Sequence, residues 1–192
     1  MSIALTAKRK SVLLNEHVFY EIIFALGVSN HDPHDYCVWE HLNFSRMGHA
    51  RALIDFFEKR NWPDDLTVED FGFPAKRIQL SNRERDRLNK DLFHLSVVRL
   101  RHNSKSKPWP HVFLNRVHER SVKFIRYVLS AKIDRSIKVL KPQWELLLKI
   151  LRSGHELCVS SAFNKGNAFS GFNLAEGRRF AGLSELTPVF SK

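Results

Sequence analysis

The chain has 192 residues, 43% of them hydrophobic, and a formal charge of +11, enough apolar material for one main core and too much to leave the chain unfolded. Its two cysteines, Cys37 and Cys158, exclude a disulfide framework and point to a reducing compartment. No apolar run approaches bilayer length, and the first ten residues place their charge after a short apolar stretch, the reverse of a secretory signal, so a soluble cytoplasmic protein without membrane association is expected.

In chain order, the spacing of apolar residues predicts an all-α antiparallel bundle of about five helices over 1–158 and an irregular tail over 159–192. The first helix runs from about Val12 to Leu26, with Val12, Phe19, Ile22, Ile23 and Leu26 inward and Gly27 to stop it. The second runs from Tyr36, capped by Asp35, to about Lys59, with Met47, Ala50, Ile54 and Phe57 at three- and four-residue steps. The third starts at Ser81, whose capping-box partner is Glu84, and continues to about Arg101 with Leu88, Leu92, Leu95 and Val98 as its stripe. A basic loop, 102–110, leads to a fourth helix from Pro110 to about Leu129, with Phe113, Val117, Phe124 and Val128 inward. The fifth runs from Pro142 to about Leu157. Beyond it, serine, glycine, asparagine and scattered phenylalanines show no helical period, giving a tail that stays mobile or docks on another surface, including a protein partner.

The positive charge is concentrated. Residues 81–135 hold fourteen Lys or Arg against five Asp or Glu, a composition that attracts polyanions through counterion release, nucleic acid foremost. Within that stretch Arg87 and His94 are seven apart, almost two α-helical turns, so they share a face, with Lys90 close by and Arg101 seven further on. Histidine moves protons near neutral pH and arginine holds phosphate oxygens with paired bonds, a combination suited to a phosphodiester. Lys90, Arg101, Lys105 and Lys107 are the candidate backbone-binding residues. Arg99 falls on another face and His49 is half-buried in the second helix, supporting the third through a hydrogen bond. The competing reading of His94 is a core histidine among Phe93, Leu95 and Val97.

Two blocks, Phe44-Ser-Arg-Met-Gly-His-Ala-Arg-Ala-Leu-Ile-Asp-Phe-Phe57 and Leu88-Asn-Lys-Asp-Leu-Phe-His-Leu-Ser-Val-Val-Arg99, stand with Pro63-Asp-Asp-Leu-Thr-Val-Glu-Asp-Phe71 between them and Lys107-Pro-Trp-Pro110 after. In order and spacing they resemble a group of uncharacterised bacterial helical proteins of HEPN-like type. The wider HEPN superfamily carries Arg, a polar residue, and His after a gap of four to six; Arg87 and His94 meet the gap, while Leu88 stands where the polar residue usually does. The resemblance implies an RNA-acting helical bundle, often a homodimer, in many cases a metal-independent ribonuclease of toxin or antiphage systems. It implies Arg87 and His94 as the catalytic pair. A nonenzymatic RNA- or DNA-binding protein, or an interaction partner with a structural His94, are the alternatives.

No cofactor or metal is expected. The cluster His31, His34 and Cys37 matches no structural zinc spacing, and a turn feeding a capped helix accounts for Asp32, Pro33 and Asp35. Asp64, Asp65, Glu69 and Asp70 evoke a magnesium loop, but Thr67 capping a short turn with Asp70 explains them more simply. His111 and His118, seven apart, would share a face of the fourth helix toward the basic groove.

Overall fold

The side-chain hydroxyl of Thr6 accepts a hydrogen bond from the Arg9 N–H at 3.3 Å and so starts helix α1 at Ala7, a full turn before the apolar stripe. The polar Lys8, Arg9 and Lys10 form that extra turn. In the computed structural model, which describes residues 5–26, 36–58, 62, 64–91, 112–153, 155–163 and 169–179, α1 comprises Ala7–Val12, a π-helical turn Leu13–Val18 and an α-helical Phe19–Leu26. A π turn closes on the fifth residue and accommodates one residue more than an α turn. It therefore rotates Val12 out of register with Phe19 by about a quarter turn. Val12 is 41% exposed, against the expectation, whereas Phe19, Ile22, Ile23 and Leu26 are buried.

Helix α2, Tyr36–Phe57, buries Met47, Ala50, Leu53, Ile54, Phe56 and Phe57. A single 3-10 turn, Val68–Phe71, follows. Its capping box is the one the sequence contains: the Thr67 N–H donates to Asp70 Oδ2 at 2.9 Å. Gly72 ends this turn with φ at +79°. A Cβ there would lie 2.7 Å from the hydroxyl of Tyr127, and that hydroxyl sits 3.1 Å from the Phe71 carbonyl and 3.2 Å from the Lys132 carbonyl. Gly72→Ala combines left-handed backbone strain with a collision against a rigid ring and is expected to cost about 1–3 kcal/mol. Urea unfolding monitored by circular dichroism measures it, and a variant as stable as the parent contradicts the account.

Residues 73–81 form an extended strap. It is pinned to the end of α2 where Lys76 N–H donates to the Phe57 carbonyl at 3.0 Å and Ile78 N–H to Glu58 Oε1 at 2.8 Å. Helix α3 then begins as an α-helical Asn82–Asp86 and continues as a π-helical Arg87–Asp91. Helix α4 is Val112–Val128 and α5 is Lys141–Ser153. Five helices are thus present among the described residues, the expected continuation of α3 to about Arg101 with Leu92, Leu95 and Val98 lying outside them, and Phe113, Val117, Phe124, Val128, Trp144, Leu147 and Ile150 are buried at three- and four-residue steps. The ring of Phe124 is the hub of the core. Its centroid lies 5.4 Å from that of Phe56, 5.9 Å from Phe57, 6.2 Å from Phe71, 5.5 Å from Phe73 and 6.3 Å from Trp144.

The connection from α4 to α5 is tied to α1 by Asn15, which stands in the π turn. Its Nδ2 donates to the carbonyls of Ser11 and Lys138, each at 2.7 Å, and its Oδ1 accepts from Leu140 N–H and from Trp144 Nε1, each at 3.0 Å. Lys138 N–H donates in turn to Ser11 Oγ at 2.9 Å. Every hydrogen-bonding position of the Asn15 amide is filled.

The C-terminal part departs from the sequence reading. Helix α5 ends at Ser153 rather than near Leu157, and the expected irregular tail contains strands β1, His155–Phe163, and β2, Phe169–Arg179. They pair antiparallel, with Leu157 opposite Glu176, Val159 opposite Leu174 and Ser161 opposite Phe172, and the register shifts near each end. In sequence Leu157, Val159 and Phe163 recur at even spacing, the period of a strand. That signal is short, and its pairing partners lie from 6 to 24 residues further along the chain, which no local helical period reveals.

Candidate nucleic-acid interface

The start of α3 is built as its sequence requires. Ser81 N–H donates to Glu84 Oε2 at 2.6 Å and Glu84 N–H donates back to Ser81 Oγ at 3.2 Å. Burial pushes the Glu84 carboxyl up, but the Ser81 N–H and hydroxyl together with Arg116 outweigh it and hold the group below its ordinary range. Arg85 makes a two-pronged contact with Glu58, 3.0 and 2.7 Å, and also donates to the Ile78 carbonyl at 2.7 Å. This fork fastens α3 to α2 across the strap, so Arg85 is a structural cation.

Arg87 opens the π-helical turn and is half-buried. Over Arg87–Asp91 the helix is wound as a π turn, wider than the 3.6 residues per turn on which a shared face of Arg87 and His94 depends. His94, Arg99, Arg101, Lys105 and Lys107 lie outside the described residues, as does the side chain of Lys90. Asp35, His31 and His34 lie outside them too.

His49 is described. Its Nδ1 donates to Glu21 Oε2 at 2.9 Å, with side chains 18% and 30% exposed respectively, and its ring lies 5.2 Å from Tyr20 and 5.4 Å from Phe24. The bond therefore goes to α1, where the sequence reading had it supporting the third helix. One turn earlier on α2, Arg46 donates from Nε to the Ala25 carbonyl at 3.1 Å, and burial lowers its pKa to about 10. His118 does not serve the basic groove either: its Nε2 donates to the Leu151 carbonyl at 2.9 Å, closing one of the open carbonyls in the last turn of α5.

Sequence reasoning passed over the cations that line the strap. Arg116, Arg120 and Lys123 recur at steps of four and three along α4 and so share one side of it. Arg116 donates to the Gln79 carbonyl and lies 3.4 Å from Glu84 Oε2. Arg120 donates to the Pro74 carbonyl and stacks over Phe73 with its guanidinium carbon 4.4 Å from the ring centre; burial lowers its pKa. Between these two anchoring points the strap carries Lys76 and Arg77, both exposed, and Arg83 and Lys123 are exposed at its margins. Among the described residues, Glu58, which holds Ile78 N–H and Arg85, Glu84 and the exposed Glu119 are carboxylates at this edge. The three-and-four periodicity of Arg116, Arg120 and Lys123 was the available signal; the strap residues had none, because an extended segment owes its place to its partners.

The acidic loop is occupied by its own backbone. Asp65 accepts from Trp62 N–H at 2.8 Å and Asp70 from Thr67 N–H. Among the described residues no group of three His, Cys, Asp or Glu side chains is placed to hold a metal ion, and no helix is long and apolar enough to cross a membrane. In comparisons with known proteins, no family model, curated protein or solved structure matches this chain.

Proposed function

We propose that this helical bundle acts on RNA as a metal-independent endoribonuclease of HEPN-like type, working as a cytoplasmic homodimer in a toxin or antiphage setting. The observation that carries the reading is the set of exposed cations Lys76, Arg77, Arg83 and Lys123 around the strap, beside the helix on which Arg87 stands. Clustered cations with few carboxylates suit a phosphate backbone. RNA is favoured over DNA because a histidine without a metal needs the ribose 2′-hydroxyl as the nucleophile.

In this scheme His94 takes the 2′-hydroxyl proton, the 2′ oxygen bonds to phosphorus, and the bond to the 5′ oxygen breaks as that oxygen gains a proton. Arg87 stabilises the charge on the pentacovalent phosphate, leaving a cyclic phosphate. Lys90, Arg101, Lys105 and Lys107 hold the flanking backbone and Arg99 acts as a support, while His49 braces α2 against α1. The C-terminal segment is the proposed docking element for a protein partner.

Incubating the full chain with single-stranded RNA in excess chelator tests this. We expect a cyclic-phosphate product, no cleavage of the all-deoxy oligonucleotide, and a loss of about a hundredfold or more in rate for His94→Ala with binding retained. Salt-dependent binding without cleavage by either protein would make it a nonenzymatic binder, and neither binding nor cleavage would favour an interaction module.

A further inference from the structure

A second positively charged surface arises where the first turn of α1 meets the connection between α4 and α5. These segments are more than 120 residues apart in sequence and are joined by Ser11, Asn15, Lys138 and Leu140. Lys8 and Lys10 flank Ser11 on α1, and Lys132, Arg135, Lys138 and Lys141 come from the connection and the first residue of α5. All but Lys10 are exposed, and Lys10 is half-buried. Asp134 is the one carboxylate of residues 130–141. It accepts from Ser136 N–H at 2.9 Å and Ser136 Oγ at 2.8 Å. Those bonds, with Lys10 nearby, hold its carboxyl below the ordinary range. Among the described residues none of the six cations is in an ion pair with a carboxylate.

We infer that this seam is a second, sequence-independent contact for a nucleic-acid backbone, separate from the strap. Among the described residues these six cations outnumber the carboxylates on the same elements, Asp134, which is satisfied by Ser136, and the exposed Glu16 and Glu145, so the surface carries a net positive field, and the hydrogen bonds at Ser11 and Asn15 hold its two halves together. Among the described residues the seam offers no exposed aromatic for bases to stack on, which suits the regular phosphates of a double-helical segment better than a splayed single strand. An anionic membrane is the less suitable partner, because surface-bound proteins add inserted bulky apolar side chains to their charge. Here, among the described residues, Val12 and Leu140 are the large apolar side chains uncovered, 41% and 39% exposed.

The inference rests on the nucleic-acid reading for its partner class, but not on cleavage. The test compares the full chain with Lys138→Gln/Lys141→Gln and with a charge-matched control, Arg126→Gln/Arg152→Gln, for binding to a mixed-sequence RNA duplex at about 50 to 200 mM salt. Both seam side chains are exposed, and circular dichroism checks the fold. The seam variant should lose about tenfold in affinity and flatten the slope of log K against log salt by about 1–2, while the control keeps both. Lys138→Arg/Lys141→Arg should bind like the parent. Equal affinity and slope in parent and seam variant would overturn the seam, and the cleavage assay with His94→Ala would still judge the nuclease reading separately. Failure of the parent to bind duplex, with seam-dependent sedimentation on phosphatidylserine vesicles, would overturn the nucleic-acid partner in favour of a lipid surface.

Discussion

Phe124→Ala is expected to lower the free energy of unfolding by about 3–5 kcal/mol. Phe124 is fully buried and its ring meets five other aromatic rings, from α2, the 3-10 turn, the strap and α5. Truncation removes the transfer free energy of the ring and leaves a cavity walled by rigid groups that cannot collapse into it. Edge-to-face contacts, each worth about 0.5–1.5 kcal/mol beyond buried area, are lost as well. Against a typical domain stability of about 5–15 kcal/mol, the variant should show a large fall in the urea midpoint with an unchanged slope. Phe124→Leu, which refills most of the volume, should cost clearly less. A loss below about 1 kcal/mol for the alanine variant is incompatible with a hub at this position.

Asn15→Ala should cost about 2–4 kcal/mol without removing any apolar contact. The indole of Trp144 is fully buried, so its N–H cannot turn to water once Oδ1 is gone, and an unsatisfied buried donor costs about 1–3 kcal/mol. The carbonyl of Lys138 and the N–H of Leu140 lose their partners too, but Leu140 is 39% exposed and water recovers part of that loss. A double-mutant cycle isolates the indole contribution. Trp144→Phe in the Asn15→Ala background should be milder than Trp144→Phe in the parent, with a coupling of about 1 kcal/mol or more. Additive losses would place the Asn15 effect elsewhere. Since the same amide fastens residues 138–140 to α1, hydrogen exchange at Leu140 should also quicken in the alanine variant.

Much of the fold was legible. The stripes of α2, α4 and α5, with Met47, Ala50, Ile54, Phe57, Phe113, Val117, Phe124 and Val128 inward, followed from the three- and four-residue recurrence of apolar side chains, and the capping boxes at Thr67–Asp70 and Ser81–Glu84 from a hydroxyl residue followed three later by an acidic one. The candidate site was less so. Arg85, Arg116 and Arg120, which in sequence swell the basic stretch, are committed to Glu58 and Ile78, to Gln79 and Glu84, and to Pro74 and Phe73. A count of charge cannot tell an anchoring guanidinium from one that faces a ligand.

Composition and periodicity by themselves determined a basic, helical chain with one aromatic-rich core, because burial of a stripe at 3.6-residue spacing is a local property. Only the tertiary structure decided the phase of α1 and α3, through π turns that leave no mark in the apolar pattern until a partner such as Asn15 is seen to be satisfied from another segment. It alone also decided that Ser11 lies against Lys138 and Lys10 near Asp134, since residues more than 120 apart become neighbours only once the intervening chain has closed around the core.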